Sequence, residues 1–248
     1  MSTSYGALCT DFYVNQKVAV KMDLPSGRDT LLHFFERMRK SMPRMNRFKR
    51  YNGELALESA RRDARYNWLA LRRHSIRTGH VNPESLEEAL DYHRLVLEMA
   101  PHHLSLSALD IDFVELMYGF DLECDKNHDA VIFDALFGDT PLQHLMPDTD
   151  ARVLDVQPVF GHALSASGDL QAYYEVKSRP KSRRGSSKKY AGEPISLFLT
   201  VRQYGPVGEL DELGSVVTRL HGHCETLAAE RLVPQLLRPI AEKITSSA

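Results

Sequence analysis

Hydrophobic and polar positions alternate with a period of two near the N-terminus. Leu8, Phe12, Val14, Val18, Val20 and Met22 share one parity, and Asp11, Asn15, Lys17 and Lys21 share the other. Successive side chains of a strand point to opposite faces, so this pattern predicts a strand in a sheet covered on one side. "RFKRYNGELALES" and "ARYNWLALRRHSIR" read as neighbouring antiparallel strands, and "RVLDVQPVFGHALS", "LQAYYEVKSR" and "PISLFLTVRQY" as three more. The "SASGD" stretch, Ser165 to Asp169, has the residues of a hairpin turn joining two of them.

Elsewhere the period is helical. Over residues 211–232, Leu213, Val216, Val217, Leu220, Cys224 and Leu227 form one stripe about 100° wide, the expected core face of an amphipathic helix. The stripe decides how "RLHGHCETL" is read, where two histidines, a cysteine and a glutamate fall together. Cys224 lies inside the stripe and behaves as a small core hydrophobe. His221 and His223 flank it roughly 160° apart, too divergent to share one ion, while His221 and Glu225 are four apart and can meet. Three further helices are expected to open at Asp29, at Asp129 and at Asn82, each as N-cap, with Pro83 at the first helical position of the last.

These elements recur. "ALCTDF" from Ala7 and "ALDIDF" from Ala108 share A-L-x-x-D-F, 101 residues apart. The Asp29 and Asp129 helices both end near Met-Pro, at Met42–Pro43 and Met146–Pro147. "WLALRR" (Trp68–Arg73) and "LFLTVR" (Leu197–Arg202) are matching strands before long helices, where Leu86, Ala89, Leu90 and Leu97 correspond to Leu213, Val216, Val217 and Cys224. The expectation is an α+β fold of two similar halves, 1–104 and 105–248, each running strand, helix, strands, helix. The sheet is antiparallel, the helices lie on one face, and a pseudo-twofold axis relates the halves. In the order of its elements this resembles the duplicated saddle of the TATA-box-binding protein, by topology alone, since no sequence motif of that family is present.

Composition adds little to the fold. The chain has 248 residues, 43% hydrophobic and 26% charged, as in ordinary globular domains. It shows no apolar run long enough for a membrane helix and no signal peptide. Three isolated cysteines, Cys9, Cys124 and Cys224, point to a reducing, cytoplasmic setting. Charge is polarised. Residues 37–77 hold 13 Lys/Arg against 3 Asp/Glu, residues 84–155 hold 17 Asp/Glu against 3 Lys/Arg, and residues 177–189 hold 7 Lys/Arg and no acid. Such asymmetry concerns partners and self-association rather than fold.

Candidate chemistry is sparse. Arg47, Lys49, Arg50, Arg72 and Arg73, interleaved with Phe48, Tyr51, Tyr66 and Trp68, and the loop residues Arg183, Arg184, Lys188 and Lys189, are candidates for holding a polyanion or an acidic partner. Asp11 and Asp112 occupy equivalent places in the two halves, so they are candidates to face one another in a cleft, with Asp110 on the same strand face as Asp112. "DLECDKNHD" lacks the glycine and the final glutamate of a calcium loop. No nucleotide, zinc or nucleophile-elbow motif occurs, so no catalytic residue, metal or cofactor is expected. The favoured reading is a non-catalytic binding or assembly protein, with a homo-oligomer or a charged protein as partner and no membrane. The alternatives are nucleic-acid binding through segments 37–77 and 177–189, and an enzyme with its site between the halves.

Overall fold

β1 (Asp11–Val20) and β6 (Ile111–Glu123) lie side by side, antiparallel, at the centre of one large sheet. The computed structural model describes residues 4–61, 64–146, 151–178 and 193–246. Among these residues the sheet has nine strands. β1 is followed by α1 (Arg28–Ser41), β2 (Met45–Tyr51), β3 (Glu54–Ser59), β4 (Tyr66–Arg72), β5 (Ser75–Val81) and α2 (Leu86–Leu104). β6 is followed by α3 (His128–Phe137), β7 (Val159–Ala163), β8 (Leu170–Ser178), β9 (Pro194–Tyr204), α4 (Leu213–Leu227) and α5 (Arg238–Ser246). All pairings are antiparallel, in the order β2-β3-β4-β5-β1-β6-β9-β8-β7.

The period of two is realised in burial. Phe12, Val14, Val18 and Val20 are at most 4% exposed, while Asp11, Tyr13, Asn15 and Lys17 stay half-buried on the other face. α2 and α4 lie against each other over the apolar face of β5, β6 and β9, α1 packs on α2, and α3 packs on α5. Phe12 meets Tyr118 edge-on at 5.4 Å and Phe120 at 5.2 Å, so the β1–β6 seam is also the aromatic centre of the core. The α4 stripe is buried at Leu213, Val216, Val217, Leu220 and Cys224. His221 Nδ1 sits 2.6 Å from the Tyr118 hydroxyl, which explains a histidine at the stripe's edge. Polar groups also enter this interface. Gln16, Thr78 and His80 project from the sheet, and His93 from α2, with Thr78 Oγ1 2.8 Å from His93 Nδ1.

Several expected helix starts are displaced. α1 is preceded by Gly27, and Asp29 sits inside its first turn. α3 is capped by Asn127, which accepts from the amides of Asp129 and Ala130. Asp129 is buried instead, accepting from Val156 N at 3.1 Å and Ser178 Oγ at 3.0 Å, and so ties α3 to β8. α2 begins after Ser85, whose hydroxyl accepts from Glu88 N, and not at Asn82. The strand correspondence shifts too. β5 neighbours β1 as β9 neighbours β6, so "WLALRR" in β4 and "LFLTVR" in β9 occupy different places in the sheet. Beyond α4 the helix widens into a π-helical stretch, Ala228–Leu237, that contains Pro234. None of the described helices is long and apolar enough to cross a membrane.

Candidate functional site

The odd-numbered face of β1 is the floor of the candidate site. Here the registers set aromatic residues directly opposite glycines: Trp68 opposite Gly79, Tyr13 opposite Gly119, and Tyr173 opposite Gly161. A Cβ on any of these glycines would collide with the facing ring. The three rings therefore lie over glycine backbone, a close approach that only a residue without a side chain permits.

Trp68 and Tyr13 line one depression of about 380 Å³, together with Asp11, Asn15, Tyr66 and Asp121. Arg61 closes its rim, with its guanidinium 4.5 Å from the Tyr66 ring centre. A second hollow of about 200 Å³ shares Arg61, Tyr66 and Trp68 and adds Glu54, Glu58 and Arg77. Asp11 and Asp121 are direct cross-strand partners. Like charges placed so oppose folding unless donors offset them. Asn82 Nδ2 donates to Asp11 Oδ1 at 2.6 Å, and Ser196 Oγ (2.6 Å) and Tyr13 Oη (3.2 Å) donate to Asp121 Oδ1. Asn15 Oδ1 is buried against the tryptophan and meets no donor. One end of the aromatic floor thus holds two carboxylates, and Asn15 lies beyond Tyr13, beside Trp68.

The expected cleft pair is corrected by this register. Asp11 faces Asp121, and Asp112 is exposed at the far end of β6, where its carbonyl accepts from Gly205 N. β1 and β6 pair antiparallel, which brings the start of one to the end of the other, so residues at the start of each strand part rather than meet. Asp110 caps the same far end, accepting from Met22 N. Asp121 was recognisable only by its parity, once the register was known.

The basic candidates are answered largely within the chain. Lys49 pairs with Glu58 at 2.7 Å, Arg72 with Glu54 at 2.5 Å, and Arg73 with Asp23 at 2.9 Å. Burial opposes ionisation of Glu58, but hydrogen bonds from Lys49 and Tyr51 outweigh it and hold the carboxyl below its usual range. Arg47 stands opposite Glu58 in register, and Arg50, opposite Leu55, projects to the other face. Across the sheet the pattern repeats, with Arg202 on Glu115 and Lys177 on Glu175. Arg183, Arg184, Lys188 and Lys189 lie outside the described residues.

No family model matches the chain, and no curated protein matches it. Among solved structures it is similar to the di-domain ARO/CYC BexL from the BE-7585A biosynthetic pathway, at 7% identity over 94% of this chain and 98% of that one. The TM-score is 0.22, a likeness that carries no argument about fold or function.

Proposed function

We propose that the protein is a non-catalytic binding protein that holds its partner against the open face of the sheet, over Trp68, Tyr66 and Tyr13. The observation that carries this reading is the meeting of two carboxylates, Asp11 and Asp121, at one end of that aromatic floor. Carboxylates beside half-buried rings suit a partner with a flat apolar surface and hydrogen-bond donors or positive charge, such as an arginine-containing peptide segment. The internal pairing of Lys49, Arg72 and Arg73 weighs against a polyanion in the same place. The enzyme alternative required Asp11 and Asp112 in one cleft, which the β1–β6 register separates.

The two halves, 1–104 and 105–248, are read as copies of one unit. Support comes from the adjacency of β1 and β6, and from the helix, antiparallel strands and long helix that follow each. In the saddle that results, the depression belongs to the first half and the seam.

Trp68 is the chain's one tryptophan, so its fluorescence reports on the site directly. Titration with a tri-arginine peptide is expected to shift or quench the emission, and Asp11→Asn is expected to weaken binding about tenfold, or about 1.4 kcal/mol. Emission that responds instead to a single-stranded oligonucleotide, with binding that weakens steeply in salt, would replace this reading with the nucleic-acid one.

A further inference from the structure

The sheet ends in two edges of different chemistry. The β2 edge carries Arg47, Lys49 and Arg50, and charges of this kind keep an edge strand from recruiting another. β7, at the opposite edge, reads Val159-Phe160-Gly161-His162-Ala163 and holds no Asp, Glu, Lys or Arg. Val159 is 61% and Phe160 63% exposed. Val176 N donates to Pro158 O, and Leu164 N donates to Leu170 O. This phase turns the backbone groups of Phe160 and His162 towards β8 and those of Val159, Gly161 and Ala163 outward.

We propose that β7 pairs antiparallel with β7 of a second copy of this chain, centred on Gly161, so that two sheets join into one. In this register Val159 faces Ala163 of the second copy and Gly161 faces its own counterpart. Every outward N–H and C=O of these residues then has a partner. Phe160 faces His162 of the second copy in a non-hydrogen-bonded pair, where cross-strand side chains approach most closely. Within one chain Phe160 and His162 already stack at 5.6 Å, and His162 and Tyr174 at 5.9 Å, so pairing lengthens an existing ladder of rings.

The occupant follows from self-complementarity. Read against itself, the strand sets apolar opposite apolar, ring opposite ring and glycine opposite glycine, as an isologous twofold contact requires. Joining β2 to β2 would oppose arginines and lysine to their like. Joining β2 to β7 would be head-to-tail, which builds rings or open filaments rather than a twofold dimer. The inference concerns the far edge of the sheet and stands independently of the ligand reading.

Light scattering on the full chain tests it. The wild type is expected to be a dimer, and Val159→Lys/Phe160→Lys a folded monomer with a dissociation constant raised at least about 100-fold, judged alongside an unchanged circular dichroism spectrum. For the register, Phe160→Cys and His162→Cys proteins are oxidised separately and mixed, with cross-linked dimer expected in the mixture only. A monomeric wild type at all concentrations, or a dimer indifferent to the two lysines, would overturn the proposal. So would a monomer that instead binds an extended peptide along β7, and equal cross-linking without mixing would overturn the register.

Discussion

His93 is fully buried between α2 and the sheet, beside Thr78, and its chemistry couples the core to pH. Burial, with a smaller contribution from His80, pushes its pKa down to about 3, while the Val14 backbone opposes the shift. In the unfolded chain the same imidazole takes up a proton near pH 6.5, which the fold refuses until about pH 3. Its contribution is therefore fully present above pH 6.5 and is lost as pH falls towards 3, by about 1.4 kcal/mol per pH unit within that window. His93→Gln keeps an acceptor for the Thr78 hydroxyl. It is expected to lose about 1–3 kcal/mol at pH 7 yet to show a shallower decline between pH 6.5 and 4 in urea unfolding. Burial also lowers the pKa of His80, His128 and His221, so some slope remains in the variant. Parallel declines in the two proteins would remove His93 from this role. At this scale the sequence was readable where a residue obeyed its stripe, as Cys224 and His221 do. It was silent on Asp129 and His93, because a buried polar group is defined by partners far along the chain.

Among the elements, strands were legible from alternation, whereas helix starts were misassigned wherever one residue type serves two purposes. Asn82 illustrates this. Asparagine before proline fits a helix N-cap, but it is also a residue that tolerates left-handed backbone, and Asn82 has φ 48°. Its side chain accepts from Phe12 N at 2.9 Å and donates to Asp11, and its own amide donates to Phe12 O at 2.7 Å. It latches the end of β5 to the start of β1, a role set by a strand 70 residues away. Ser85 does the capping. The two roles differ in energy. Ser85→Ala removes one cap and is expected to destabilise by about 1 kcal/mol. Asn82→Ala loses three side-chain hydrogen bonds, to Phe12 N, Asp11 and the Ala64 carbonyl, and strains a positive φ, with an expected loss of about 2–4 kcal/mol. Chemical denaturation that finds Ser85→Ala the costlier of the two would reverse this assignment. The latch also orients Asp11, so Asn82→Ala is expected to weaken any ligand that Asp11→Asn weakens.

For the whole molecule, the sequence led to an expectation of two similar halves, but the pairing that joins residues 1–104 to residues 105–248 left no mark in it. Pairing between strands 100 residues apart leaves no trace in local periodicity, and it is this pairing that moved the acid partner of Asp11 from Asp112 to Asp121. The joint is extensive. β1 is hydrogen-bonded to β6 from Asp11 to Val20, α2 packs on α4, and Arg94 of α2 donates to Thr218 of α4. A half taken alone exposes the whole edge of its first strand, together with Phe12 or Tyr118 and Phe120 and the inner face of its long helix. Each of these large side chains contributes roughly 1.5–3 kcal/mol when buried, so losing several removes stability comparable to that of an entire domain. The halves are therefore expected to unfold together in one cooperative transition. Fragments 1–104 and 105–248, expressed separately, are expected to lack a cooperative melt, and mixing them is expected to restore part of it. A fragment that melts cooperatively on its own would show that each half carries a sufficient core, and that the β1–β6 seam is an interface between domains rather than the centre of one.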